Sequence, residues 1–192
     1  HDGDRLAHLS DDALSVSELR ARAANLFFKQ TIDGWKKGYA ALERAVALSP
    51  NDGMSLAMRA QNRLNWWSVG YEPHDPELAE RLAHDLDIAV AEIPKSDFVY
   101  WARGAHRLRM LGDLEAARFD MAKSLELNPN FLGIADLKSQ IAMLEHRFDD
   151  AISAFDNYTR LGSEDPFKLT RLAFFARVHL CAGDFQAALR DA

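Results

Sequence analysis

The chain has 192 residues, 48% hydrophobic and 27% charged, which suffices for a continuous core and excludes a disordered polyelectrolyte. Its net charge is −6, but Asp2, Asp4, Asp11, Asp12 and Glu18 stand against Arg5 alone at the start, so the remainder is near neutral and lacks the basic surface that a phosphate backbone requires. Cys181 is the single cysteine, which excludes an internal disulfide; with no apolar run near the roughly 20 residues of a membrane span and no basic-then-apolar leader before Leu6, the expected setting is cytoplasmic, with no nucleic-acid or membrane partner.

Residues 1–11 are acidic, polar and aperiodic, which predicts a flexible lead-in to one folded region over 12–192. The first predicted unit spans about 19–52. Its second helix covers 35–48, with Gly38 and Ala45 at small positions and Leu42 at a bulky one, and Pro50 stops it because proline lacks an amide donor. The second unit, about 53–96, closes the same way at Pro94, with Leu86 and Ala89 in the places of Leu42 and Ala45. Pro94 follows Pro50 by 44 residues, and the excess over an ordinary repeat falls near 65–74, between the unit's two helices. Asp75-Pro76-Glu77 then marks a helix start, with a side-chain acceptor ahead of a proline in the first turn.

A third unit, about 98–131, closes at Pro129, and a fourth, about 132–168, closes at Pro166, where Asp165-Pro166 also marks a helix start. The fifth, 169–192, runs out partway through its second helix; together with a start at His1 rather than Met, this predicts a piece of a longer protein. One phrase recurs at the hairpin turns: Gly112-Asp113-Leu114-Glu115-Ala116-Ala117, His146-Arg147-Phe148-Asp149-Asp150-Ala151 and Gly183-Asp184-Phe185-Gln186-Ala187-Ala188. The phrase returns after 34 residues from Ala117 to Ala151 and 37 from Ala151 to Ala188, and a period in this range marks stacked helical hairpins, each burying its apolar face on the next. The predicted class is therefore all-α, a right-handed solenoid of about five hairpins, with Ala45, Ala89, Ala117, Ala151 and Ala188 at close helix contacts. The turn acids Asp113, Asp149, Asp150 and Asp184 lie where a helix dipole favours them.

Within the third unit, Trp101-x2-Gly104-Ala105-x2-Leu108, Ala117-x3-Met121 and Pro129 follow the tetratricopeptide pattern, so the chain resembles that repeat family. The phrase Ala41-Leu42-Glu43-Arg44-Ala45-Val46-Ala47-Leu48-Ser49-Pro50-Asn51-Asp52, the stretch 82–94 and the long second unit resemble the tetratricopeptide region carboxy-terminal to bacterial class III adenylate/guanylate cyclase domains, and to related regulators with a winged helix. The resemblance implies a non-catalytic interaction or regulatory module of a signalling protein. No cyclase residue is present to carry over.

Searching for chemistry leaves little. His74-Asp75 and His84-Asp85 lack the spacing of a metal site, since neighbours on a helix diverge by about 100°. Cys181 lies in an apolar helix without a neighbouring histidine or lysine and is expected to be a buried structural thiol. No phosphate loop or nucleophile elbow appears, and no cofactor is expected. The concave face expected of the first helices carries Gln61, Asn65, Arg103, His106, Arg109, Gln140 and Arg177, together with Met54, Met110, Asp136 and Met143. This mixed set suits an extended, somewhat acidic peptide, or else is a solvated face. Trp66, Trp67 and Tyr71 in the insertion either fold back on the solenoid or form an aromatic docking patch. The partners expected are a protein or peptide, the protein's own upstream domain, or a second copy. Three settings stay open: a cyclase module, a winged-helix regulator module, and a free-standing peptide-binding adaptor.

Overall fold

In a computed structural model, the described residues are 9–68, 70, 73–161 and 168–191. They form ten α-helices and no strand: α1 (Val16–Phe27), α2 (Ile32–Leu48), α3 (Gly53–Ser68), α4 (Pro76–Glu92), α5 (Asp97–His106), α6 (Leu114–Leu127), α7 (Gly133–Leu144), α8 (Phe148–Leu161), α9 (Lys168–Ala182) and α10 (Phe185–Asp191). Each odd-numbered helix packs most extensively on its even-numbered successor, giving five hairpins. The lead-in lies outside the described residues as far as residue 8. Within the rest of it Asp11–Ala13 forms a 3-10 turn, and Leu14 just beyond is buried against Leu19, Ala23 and Leu42. The helix start expected at Asp165-Pro166 also lies outside the described residues.

Local signals account for most boundaries. α2 and α6 end two residues before Pro50 and Pro129, and α4 ends at Glu92, two before Pro94. α2 begins three residues earlier than expected, because Thr31 caps it by accepting from Gly34 N at 3.1 Å. Asp75 accepts from Leu78 N at 3.1 Å with Pro76 in the first turn of α4, and Asp113 and Asp184 cap α6 and α10 in the same way. The residue before each recurring cap turns left-handed: φ is 68° at Gly112, 58° at His146 and 82° at Gly183. Glycine adopts this conformation without a Cβ clash, whereas His146 adopts it at a cost.

The core is a chain of overlapping clusters passed from hairpin to hairpin. Leu56, Ala60, Leu82, Leu86, Ala89, Val99 and Ala102 join α3, α4 and α5, and Leu108, Ala117, Ile134, Leu137 and Ile141 join α5, α6 and α7. Ala45, Ala89, Ala117, Ala151 and Ala188 are all buried. Gly104 permits a close approach of α5 to α6 and α7: a Cβ there would lie 3.0 Å from Leu137 Cδ2 and 3.1 Å from Asp120 Cβ. In the fifth hairpin Phe185 and Leu189 are 63% and 74% exposed, whereas Leu114 and Met121 in the third are half-buried, because no further hairpin covers α10 in the structure.

The insertion is only partly a loop. Residues 65–68 continue α3, and the departure from the repeat comes after Ser68, where Gly70 turns left-handed five residues before the cap at Asp75. Trp66 and Trp67 point apart, as adjacent helical residues must. Trp66 meets the Tyr39 ring edge-on at 6.3 Å and carries the Arg63 guanidinium over its face at 4.2 Å, while Trp67 joins the α3–α4 core and meets the His74 ring at 5.6 Å. Both tryptophans are 7% exposed, which favours internal packing over the docking patch of the two readings left open for them. Tyr71 lies outside the described residues.

Candidate binding groove

Five first helices, α1, α3, α5, α7 and α9, each contribute to one open groove of about 530 Å³. From α3 come Gln61, Asn65 and Ser68; the first two are one turn apart on the same face, and Gln61 Nε2 donates to Asn65 Oδ1 at 3.0 Å. Gln61 is 6% exposed and its Oε1 has no hydrogen-bond partner among the described residues, an unmet acceptor beside the groove. α5 supplies Trp101 at its start and Arg109 and Met110 at its end, where the helix widens into a π turn over Arg107–Leu111. Such turns replace the regular ladder at a local energetic cost and often mark functional positions.

Arg109 reaches across to the fourth hairpin. Its Nε donates to Gln140 Oε1 at 2.8 Å and its Nη2 to Asp136, and Gln140 Nε2 donates back to Asp136 Oδ1 at 2.9 Å. This closed network neutralises Arg109. At the fifth hairpin, Arg177 is exposed and stacks over the Phe174 ring at 4.6 Å, with no carboxylate partner among the described residues. Among the described residues the groove therefore carries one uncompensated positive charge, at Arg177. Its walls are aromatic: Phe27 and Trp35 from the first hairpin, Trp101 from the third and Phe174 from the fifth.

Of the residues expected on the concave face, the structure brings Gln61, Asn65, Arg109, Gln140 and Arg177 together, with Asp136 and Met110. Arg103 and His106 do not line the groove, nor do Met54 and Met143. Arg103 turns instead to the second helices, donating to Asp120 Oδ1 at 2.7 Å and Asp87 Oδ1 at 2.9 Å. Arg59, 44 residues earlier, behaves identically toward Glu43 on α2 and Asp85 on α4. The shared 44-residue offset of this arginine pair and of Pro50 and Pro94 was the available signal that Arg103 faces its neighbours rather than the groove. His106 is 1% exposed, and its Nε2 donates to Ala79 O at 2.8 Å. Burial pushes its pKa below the usual histidine value despite that hydrogen bond, so the ring is neutral, with Nδ1 unpartnered. Cys181, expected to be buried, is exposed, one residue before the end of α9.

Sequence reasoning missed the aromatic walls. Trp101 was legible as a packing residue of the repeat, but Phe27 and Trp35 come to the groove from the first hairpin and Phe174 from the fifth, a meeting of residues far apart in sequence. Among the described residues, no helix is long and apolar enough to cross a membrane.

No protein-family model matches the chain, and no curated protein matches it. Among solved structures it is similar to TTC0263, a thermophilic TPR protein of Thermus thermophilus, with a TM-score of 0.71 and 16% identity over 92% of this chain and 88% of that one. It is also similar to a tetratricopeptide repeat protein of Parabacteroides merdae (TM-score 0.59, 16% identity, 92% of this chain and 62% of that one). A chain of the APC/C hetero-tetramer Cut9–Hcn1 matches with a TM-score of 0.66 and 18% identity, over 98% of this chain and 33% of its own length. At such identities likeness speaks for architecture alone, and the architecture of this chain is that of a tetratricopeptide-repeat solenoid.

Proposed function

We propose that the chain is a protein-interaction module that holds an extended segment of a partner protein in the groove of its first helices, and that it takes part in no catalysis. The observation that carries this reading is the convergence of all five first helices on one groove whose polar groups include three side-chain amides and whose walls are aromatic. The unpartnered Gln61 Oε1 and the amide of Asn65 bring a C=O and an N–H to the groove, which match the alternating donors and acceptors of an extended main chain. The volume suits a few residues of peptide. That a similar chain sits in a hetero-tetramer accords with the reading.

The test is capture of peptides from a randomised phage-displayed library by the purified chain. Ala173 lines the groove and is exposed, so Ala173→Trp fills the groove without disturbing the core; it should abolish capture and leave the melting temperature unchanged. Undiminished capture by a folded Ala173→Trp variant places binding elsewhere and overturns the reading.

For the parent we infer a class III nucleotide cyclase, with the winged-helix regulator and the free-standing adaptor as alternatives. Support comes from the resemblance of residues 41–52 and 82–94. The sequence encoded upstream of His1 decides: paired metal-binding aspartates of a cyclase domain support it, and a winged helix refutes it.

A further inference from the structure

We infer that the groove selects a partner segment in which a carboxylate side chain neighbours a bulky apolar one; this deepens, and rests on, the groove reading above. Two groove cations differ in their circumstances. Arg109 is held by Asp136 and Gln140 and has little left to offer a ligand. Arg177 is exposed, meets no carboxylate among the described residues, and is oriented by the Phe174 ring 4.6 Å beneath it. A guanidinium stacked on an aromatic face keeps its N–H edge free, and that edge matches the two oxygens of a carboxylate.

Selectivity follows as much from repulsion as from attraction. A lysine or arginine side chain on the ligand would meet Arg177 as a like charge, and Asp136, the groove carboxylate among the described residues, is already engaged by Arg109 and Gln140. Beside Arg177, Phe174 and Ala173 form an apolar wall that Phe27, Trp35 and Trp101 continue. A large aliphatic or aromatic ligand side chain next to the carboxylate loses water against these rings while the carboxylate stays at the open, charged end.

The experiment uses the peptides that the library selects on the native chain. Aspartate or glutamate adjacent to Leu, Phe, Tyr or Trp should be enriched. In a selected peptide, replacing the acid by Gln should weaken binding about tenfold and replacing it by Lys more, read by fluorescence polarisation. Arg177→Gln should bind the acid and Gln forms of the peptide equally, with an unchanged melting temperature. Enrichment without acids, indifference of the native chain to the acid-to-Lys change, or an Arg177→Gln variant that still discriminates overturns this inference and leaves the groove reading standing. Failure of the native chain to enrich any peptide sinks the groove reading itself.

Discussion

Replacing Asp120 by Asn tests the ion ladder that links the third hairpin to the second. Asp120 is 0% exposed on α6, where Gly104 lets α5 approach closely. Its carboxylate accepts from Arg103 Nε at 3.0 Å, Arg103 Nη2 at 2.7 Å and Arg107 Nη1 at 2.9 Å. Burial alone would lower the Arg103 pKa, but the hydrogen bonds and charges of Asp120 and Asp87 together outweigh it, so the guanidinium is held above its ordinary value. Asn keeps the shape but removes the charge and turns an amide donor toward two guanidiniums. Breaking a buried pair by removing one partner costs about 3–5 kcal/mol. The lower end applies here, because Asp87 still reaches both arginines and Arg107 is 23% exposed. A loss of about 3 kcal/mol lowers the melting temperature of a chain of this size by roughly 6–12 °C. The control is Asp87→Asn: that carboxylate is 55% exposed, and its loss should cost no more than about 1 kcal/mol. Guanidinium chloride unfolding followed by circular dichroism measures both. If Asp120→Asn costs under about 1 kcal/mol, or no more than Asp87→Asn, the ladder does not set how the hairpins stack.

Because burial lowers the pKa of His106 in the fold, the unfolded chain takes up the proton first. Stability should therefore be flat above about pH 6.5 and fall as the pH drops below it, and His106→Gln should flatten that fall in melts run from about pH 7.5 to 5. His146 has φ 58° where the neighbouring repeats have glycine, so His146→Gly should stabilise by about 0.5–1 kcal/mol and Gly112→Ala should cost about as much. A destabilised His146→Gly would show that the ring contributes more than the backbone loses. Trp66→Ala and Trp67→Ala should each cost about 3–5 kcal/mol, since both rings are buried against different neighbours; a native-like melting temperature in either would return that ring to the surface.

What the sequence determined by itself is the solenoid: hairpin number, the proline stops, the aspartate caps at 75, 113 and 184, and the small residues at close contacts. These are local signals, since a cap or a stop acts within one helical turn and a repeat unit packs chiefly on its sequence neighbours. They also place Gln61 and Asn65 on one helix face, where both line the candidate groove. The tertiary structure decided what each charge does. Arg103 and Arg109 sit on one helical stretch and look alike in sequence, yet one is drawn outward by Asp87 and Asp120 and the other inward by Asp136. Trp66 and Trp67 are buried because Tyr39, Arg63 and His74 lie against them. The aromatic walls bring Phe27 and Trp35 to the same groove as Phe174, from opposite ends of the chain. That meeting depends on the curvature accumulated over five stacked hairpins, a sum of small packing angles that no short stretch of residues encodes.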